Sequence, residues 1–264
     1  MNIFFRELKA NVKSLIIWSI VIGMFTIVGS AKFSAYANNP EMLKVLDAMP
    51  KAIIDAMSLQ AFNLTTVTGF YGIMFVYFGL MGAMAAGLWG TDMISKEERD
   101  KTVEFSLVLP VSRSRVITAK AMAALINCIV LVLVTWAISI LAARSYAPDM
   151  SFYSFLRLEM MAMFLIELIF LAIGIMLGAV MKQYRLSGTI AVALILVTYF
   201  FSIITVMQEK LDFLKYLTPF KYFDPAVFLN SHTLDGTYLA ISAGIIVVCL
   251  VAAYLVYNRR DLYI

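Results

Sequence analysis

The sequence predicts an all-α integral membrane fold with six transmembrane helices. Hydrophobic residues make up 62% of the chain and charged residues 14%, whereas soluble domains have about 45–50% and about 25%. The mean hydropathy is +0.88, and several long stretches contain no Asp, Glu, Lys or Arg. A soluble globule of this size could not bury so much apolar surface, so lipid is the expected surrounding of the chain.

Six segments are long and apolar enough to cross the hydrocarbon core, which requires about 20 residues. The predicted spans are residues 15–36, 67–90, 120–143, 158–181, 186–208 and 237–258. Residues 1–264 are therefore expected to form a single transmembrane domain. The first apolar run lacks a small-residue cleavage motif, so we expect it to remain as a span and not to be removed as a signal peptide.

Residues 2–14 are predicted to form a helix in the membrane interface before the first span. Phe4, Leu8 and Val12 recur every four residues, while the basic side chains fall elsewhere. A helix with one apolar and one basic face can lie in the plane of the interface. The alternative is that this segment simply extends the first span.

The distribution of basic residues predicts the orientation of the chain. Of the 21 Lys and Arg residues, 13 fall on the side that holds the N-terminus. Because basic residues are enriched in cytoplasmic loops, both termini are expected in the cytoplasm. An even number of spans agrees with this topology.

Small residues recur at intervals of four in the second and fourth spans. Gly79 and Ala83 form one such pair, and Gly174 and Gly178 form another. Small residues at this spacing let helix backbones approach closely in lipid. These positions predict helix packing and do not by themselves indicate a substrate.

The segment 92–113 is densely charged, yet it contains a short apolar run. Thr102 can cap a short helix that begins at Val103 and that Pro110 ends, and Ser112 can cap the helix that follows. An apolar face outside the membrane needs a partner surface. That surface is either lipid headgroups or another protein.

Nine residues in and after this segment match a pattern of Glu, Thr, Glu, Leu, Pro-Val-Ser-Arg and Lys: Glu97, Thr102, Glu104, Leu107, Pro110, Val111, Ser112, Arg113 and Lys120. The pattern resembles the first cytoplasmic loop of ABC-2 type permeases, the membrane subunits of ABC exporters. That family usually has Gly where this chain has Lys101. Residues 218–222, Thr-Pro-Phe-Lys-Tyr, resemble its Ser-Pro-Phe segment, and residues 257–262 resemble its basic tail.

The resemblance implies the ABC-2 type exporter fold, in which transport and ATP hydrolysis are carried out by separate subunits. The chain would be the permease subunit in a bacterial or archaeal cell membrane, with a second permease copy or paralogue and two cytoplasmic ABC ATPase subunits as partners. The substrate could be an antimicrobial peptide, a drug, a lipid or an ion. The chain lacks the G-x-x-x-x-G-K-[ST] motif and any Gly-Lys dipeptide, so ATP and Mg²⁺ are expected on the separate ATPases. No catalytic residue, bound cofactor or nucleic-acid partner is expected.

Three groups of residues are candidate sites under this resemblance. The ATPase-coupling helix would use Glu97, Glu98, Arg99, Asp100, Thr102, Val103, Glu104, Phe105, Leu107, Pro110, Ser112 and Arg113. The external gate would use Pro219, Phe220 and Tyr222, with an ordinary interfacial aromatic belt as the alternative.

Glu167 is the candidate for the translocation path. A carboxylate in mid-span is costly and usually faces the bundle interior or a wet cavity. The alternatives are an inter-subunit contact and a structural Glu that is protonated or hydrogen-bonded. Glu159 is expected near the outer interface, where it can snorkel or pair with Arg157.

Other features indicate no further chemistry. Cys128 and Cys249 fall in apolar runs and are expected to be buried structural thiols, and the single histidine, His232, does not make a metal site. No H-E-x-x-H motif is present, which argues against a metalloprotease. An ATP-independent secondary transporter or channel, and a non-transporting scaffold or sensor with the same architecture, remain as alternatives.

Overall fold

The computed structural model describes residues 3–37, 39, 48, 50, 54, 62–99, 111–181 and 183–259, without the side chains of residues 97–99, 184 and 209. These residues form helices and no strand. The helices are α1 (Ile3–Phe33), α2 (Val67–Arg99), α3 (Arg113–Ala143), α4 (Met150–Val180), α5 (Tyr184–Met207), α6 (Pro219–Tyr222), α7 (Pro225–Ser231) and α8 (Gly236–Arg259). Two 3₁₀ segments, Arg144–Tyr146 and Glu209–Leu217, join them.

Six of these helices, α1–α5 and α8, are long and apolar enough to cross a membrane. This confirms the predicted all-α, six-span fold. Because the number of spans is even, Ile3 and Arg259 end on the same side. We call that side the inner side and the opposite side the outer side.

Capping residues, and not the last charged residue, decide where α3 and α4 begin. Ser112 accepts a hydrogen bond from the Arg115 amide, and Asp149 accepts one from the Phe152 amide. Side-chain oxygens at these positions satisfy amides that have no partner within the helix. The helices therefore start at 113 and 150, whereas the charge-free stretches predicted starts at 120 and 158.

The expected boundary between an interfacial helix and the first span is absent. α1 runs without a break for 31 residues, which corresponds to about 46 Å. Its inner part buries Glu7 and Asn11, while Val12, from the predicted apolar stripe, is 44% exposed. The segment thus extends the first span, as in the alternative, because its polar side packs against the bundle.

The centre of the bundle is the contact between α2 and α4, the most extensive pair in the described residues. A Cβ atom on Gly174 would lie 2.4 Å from the Gly87 carbonyl oxygen, and one on Gly90 would lie 2.6 Å from the Leu171 carbonyl oxygen. Only glycine allows backbones to approach so closely. The predicted packing role of Gly174 and Gly178 is confirmed.

The other long helices surround this pair. α3 packs on both α2 and α4, α5 lies mainly along α2, α8 lies along α4, and α1 lies mainly along α3. α1, α5 and α8 bury about a fifth of their apolar span or less. Their outward sides carry large apolar residues such as Met24, Phe200 and Val248, so they form the perimeter of the single chain.

Candidate functional site

Most of the predicted coupling helix lies outside the described residues. This holds for Asp100, Thr102, Val103, Glu104, Phe105, Leu107 and Pro110. Glu97, Glu98 and Arg99 form the end of α2, where the backbone alone is described. The proposed contacts of these residues with an ATPase stay a prediction. The structure does describe how both ends of the segment are held.

A buried lysine ties together the two helices that flank this segment. Lys120 of α3 is fully buried, and its Nζ donates a hydrogen bond of 2.5 Å to the Met93 carbonyl oxygen of α2. Charged side chains are rarely buried unless they are paired or hydrogen-bonded. The lysine that closes the sequence pattern is therefore an internal brace between α2 and α3.

A buried carboxylate joins α1 to the end of α2. Glu7 is 1% exposed, and its carboxylate oxygens lie 3.2 Å from Arg6 Nη2 and 3.6 Å from Lys96 Nζ. Nearby, the Trp89 indole donates a hydrogen bond of 2.9 Å to Ser14 Oγ. Lys96, near the start of the coupling segment (residues 92–113), is thus connected to the start of the chain.

The far end of the segment is connected to the last helix. Arg113 Nη1 donates to the Tyr257 carbonyl oxygen at 3.4 Å, and Ser114 Oγ lies 3.1 Å from Asn258 Oδ1. Ser112 caps α3, as predicted. We call the contacts of Glu7, Lys96, Arg113 and Lys120 the inner frame.

Sequence reasoning found Arg113 and Lys120 through the resemblance, but it missed Glu7. The only signal was an acidic residue among the basic ones of the first segment. Its burial depends on where α2 ends in space, and no pattern within α1 reports that position.

On the outer side, α6 and α7 dip into the bundle. The Phe220 ring lies 5.4 Å from Phe170 of α4 and 5.6 Å from Tyr199 of α5, measured between centroids. Phe170 stands ten residues before the inner end of α4 at Val180, about 15 Å along the helix. Phe220 therefore reaches the middle of the bundle, whereas aromatic-belt residues would stay at the surface.

The candidate gate residues beside Phe220 are also fixed. Pro219 and Tyr222 are buried. The Tyr222 hydroxyl donates to the Tyr216 carbonyl oxygen at 2.6 Å, and its ring stacks on Tyr238 of α8 at 5.1 Å. The three residues form one packed plug between α4, α5 and α8. A gating role for this plug stays a prediction.

A small cavity of about 90 Å³ remains between the plug, α2 and α5. Lys221 and Asp224 line it together with apolar and aromatic side chains. The two charged groups form an ion pair of 2.5 Å, and Asp224 also accepts a hydrogen bond from the Ala226 amide at the start of α7. Asp224 thus has two roles, as an ion-pair partner and as a helix cap.

Replacing Asp224 tests which of these roles holds the plug. Asp224→Ala is expected to remove the cap and the ion pair and to destabilise α7 by about 1 kcal/mol or more. Asp224→Asn keeps a capping oxygen and removes the charge, so it should lie closer to the unchanged protein. Hydrogen exchange at the Ala226 and Val227 amides measures the difference. Equal exchange rates in the two variants would contradict the cap as the main role.

Glu167 faces the interior of the bundle. It is fully buried, and in the part of the chain that is described no N–H or O–H group donates a hydrogen bond to its carboxylate oxygens. A Cβ atom on Gly82 would lie 2.8 Å from Glu167 Oε1, so Gly82 leaves the space that the carboxyl occupies. Cys128 of α3 lies beside it. Its proposed place on a translocation path stays a prediction.

The expectation for Glu159 is wrong. It is 0% exposed, with no hydrogen bond to its carboxylate oxygens from the described residues, while Arg157 is exposed. The reason is that α4 begins at Met150, so Glu159 lies about two and a half turns inside the helix. It lies near Tyr71, whose hydroxyl bonds to α1 and α3.

The two cysteines are buried, as expected. Cys128 and Cys249 are buried free thiols. His232 is exposed and ends α7 in a left-handed conformation with φ of 55°.

Comparison with protein families gives one match. A family model described as "ABC-2 family transporter protein" matches residues 1–262, which is nearly the entire chain. No curated protein matches the chain.

Proposed function

The chain belongs to the ABC-2 family of transporter proteins, and from this premise we propose that it is the permease subunit of an ATP-binding cassette exporter. In this role it couples ATP hydrolysis by separate ATPase subunits to the export of a substrate. The permease itself does not hydrolyse ATP, since its sequence has no G-x-x-x-x-G-K-[ST] nucleotide-binding motif. Both termini and the coupling segment face the cytoplasm, in accordance with the excess of basic residues on that side.

The inner frame is the observation that carries this proposal. It holds Lys96 near the start of the coupling segment, residues 92–113, and Arg113 at its end. Through these contacts the ends of the segment are joined to α1, α2, α3 and α8. An ATPase that pushes on residues 100–110 would therefore move four helices and not a free loop. This is what a lever between an ATPase and a membrane bundle requires.

The mechanism follows from that arrangement. ATP binding brings the two ATPases together and displaces the coupling segment of each permease. The inner frame passes the displacement to the bundle, and two permease copies or paralogues rock against each other. The substrate then leaves past the plug formed by Pro219, Phe220 and Tyr222. The outward apolar sides of α1, α5 and α8 are available for the second permease and for lipid.

Charge reversal in the coupling segment tests the contact with the ATPase. The double variant Glu98→Lys and Glu104→Lys should lose co-purification with an ABC ATPase and lose permease-dependent ATP hydrolysis, because two acidic contacts become repulsive. Asp212→Lys is the matched control, since Asp212 is exposed on the outer side. An unchanged ATPase activity in the double variant would refute the assignment of the segment.

A labelling experiment tests the orientation independently. A single cysteine at residue 101, in a variant with Cys128→Ala and Cys249→Ala, should react with a membrane-impermeant maleimide only after the membrane is opened. Reaction in intact cells would place the segment on the wrong side for any cytoplasmic ATPase.

One observation favours a second candidate, an ATP-independent secondary transporter. Glu159 and Glu167 are both fully buried in the bundle, and intramembrane acids often serve ion-coupled transport. Transport into or out of vesicles would separate the two functions. The exporter requires ATP and an ATPase subunit and resists a protonophore, whereas a proton-coupled carrier stops when the protonophore is added and ignores ATP.

A further inference from the structure

A groove of about 230 Å³ lies along the seam between α3 and α4. The residues that line it belong to these two helices alone, in the stretches 129–136 and 157–164. Val132 and Met160 are buried and form its floor, whereas Leu133 and Met161 are about half exposed and form its walls. A cavity of about 150 Å³ with apolar walls is large enough to bind benzene, so this groove has room for part of an acyl chain.

The groove runs from the outer side of the bundle toward its middle. Trp136 of α3 and Arg157 of α4 each stand seven residues from the outer end of their helix, so they mark the outer end of the groove. Ile129 and Phe164 each stand fourteen residues from the same ends and mark its inner end. The groove therefore extends about 10 Å along the helices, in the direction in which the acyl chains of a bilayer run.

The outer end of the groove lies at the level of the headgroups. Arg157 stands 23 residues before the inner end of α4 at Val180, about 35 Å along the helix, whereas the hydrocarbon core is about 30 Å thick. Trp136 beside it is of a residue type that is enriched at the surface of the hydrocarbon core. A lipid in the leaflet of the outer side could thus place its headgroup at Arg157 and a chain in the groove.

The course of α8 explains why this part of the seam is open. At its inner end α8 contacts α3, where the Tyr254 hydroxyl lies 2.7 Å from Thr118 Oγ1 and the Tyr257 carbonyl accepts a hydrogen bond from Arg113. At its outer end α8 instead stacks Tyr238 on Tyr222 of the plug. The helix thus crosses from α3 to the plug, and the outer half of the seam has no lining from it.

Arg157 gives the groove a single positive charge. Its side chain is exposed and has no hydrogen bond or ion pair with any other residue that the structure describes. No Asp or Glu lines the groove, and the other lining side chains are apolar or aromatic. A guanidinium has five N–H donors that fit the oxygens of a phosphate. The ligand that complements this surface has a negative phosphate at one end and an apolar chain behind it.

We propose that the groove binds an anionic phospholipid from the leaflet at the outer side. The phosphate accepts hydrogen bonds from Arg157, and one acyl chain lies between Leu133 and Met161 on the floor formed by Val132 and Met160. The site is separate from the plug and from the inner frame. It depends neither on ATP coupling nor on the identity of the exported substrate.

Native mass spectrometry of the purified chain in detergent tests the headgroup contact. The protein is mixed with phosphatidylglycerol, with phosphatidylethanolamine or with a diacylglycerol that has the same acyl chains, and the retained lipid is counted. Phosphatidylglycerol should be retained best, because the ammonium of phosphatidylethanolamine finds no acid in the groove and diacylglycerol has no phosphate.

Replacing Arg157 should remove this preference. Arg157→Gln should lower the retention of phosphatidylglycerol about tenfold, the lower end of what one charged hydrogen bond contributes, and should leave that of diacylglycerol unchanged. Arg144→Gln is the matched control, since Arg144 is also exposed and lies just beyond the outer end of α3, outside the groove. It should retain phosphatidylglycerol as the unchanged protein does.

Filling the groove tests the place of the acyl chain. Leu133→Trp adds bulk at an exposed wall, so it should lower the retention of all three lipids without changing thermal unfolding. Leu141→Trp makes the same change at an exposed position of α3 two turns beyond the groove. This control variant should retain each lipid as before.

Three results would overturn the proposal. One is equal retention of phosphatidylglycerol in the Arg157 and Arg144 variants. Another is retention of diacylglycerol or phosphatidylethanolamine by the unchanged protein that equals or exceeds that of phosphatidylglycerol. The third is a Leu133→Trp variant that changes the oligomeric state and leaves lipid retention intact, since a second copy of the chain would then occupy the groove.

Discussion

Replacing Gly174 by alanine is expected to cost the protein most of its folded population. The added Cβ atom would lie 2.4 Å from the Gly87 carbonyl oxygen and 3.2 Å from the Gly87 Cα atom. These atoms belong to a helix backbone, so no side chain can turn away. Overpacking a core costs about 1–3 kcal/mol and sometimes more, and a clash of two backbones at the α2–α4 contact should lie at or above the upper end.

Thermal unfolding in detergent, together with the yield of monodisperse protein, measures this effect. Gly244→Ala is the matched control, since a Cβ atom there has no neighbour within 4 Å. It should be neutral or slightly stabilising, because alanine is about 1 kcal/mol better than glycine in a helix. Gly82→Ala should fall between them, because its closest neighbours are the movable ends of Glu167 and Met163. Equal melting of the Gly174 and Gly244 variants would contradict the close contact of α2 and α4.

Replacing Lys120 by methionine is expected to have the second largest effect. Methionine has a similar length, so packing is largely kept, but the Met93 carbonyl oxygen loses the donor that lies 2.5 Å away. A hydrogen bond to a charged group contributes about 1.5–3 kcal/mol, and the loss should lie in this range because the site is fully buried. The variant should also weaken permease-dependent ATP hydrolysis, since α2 and α3 would no longer move together.

Thermal unfolding and ATP hydrolysis with the partner subunit check the two parts of this prediction. Lys13→Met removes an exposed cation on α1 and should change neither. If the Lys120 and Lys13 variants melt at the same temperature, the brace between α2 and α3 is not a stabilising contact. A loss of stability with full ATP hydrolysis would confine Lys120 to a structural role.

The sequence predicts the number and type of the spans because hydropathy reports directly which segments lipid can surround. It also predicts the close helix contact at Gly174 and Gly178, since small residues at this spacing have a single common use in membranes. The residues at which α3 and α4 begin are not predicted by the same reasoning. There, Ser112 and Asp149 cap helices that continue past charged residues, and a search for charge-free stretches stops too early.

The buried polar contacts are beyond the sequence for a different reason. Glu7 meets Lys96, and Lys120 meets the Met93 carbonyl, only because α1, α2 and α3 are neighbours in space. The packing order of the six apolar helices cannot be predicted from the hydrophobic periodicity of any single helix. Glu159 shows the same limit, since its burial depends on α2 and α3 covering that side of α4.

Because α1 is unbroken, a displacement of its inner end is transmitted to its outer end. Its inner part is paired with Lys96 through Glu7, and near its outer end the Ser30 carbonyl accepts a hydrogen bond of 2.6 Å from Tyr146. A helix without a hinge moves as a stiff rod, so tilting its inner end displaces its outer end in the opposite direction. Work done at the inner side of the bundle can thus reach its outer side through a single element of secondary structure.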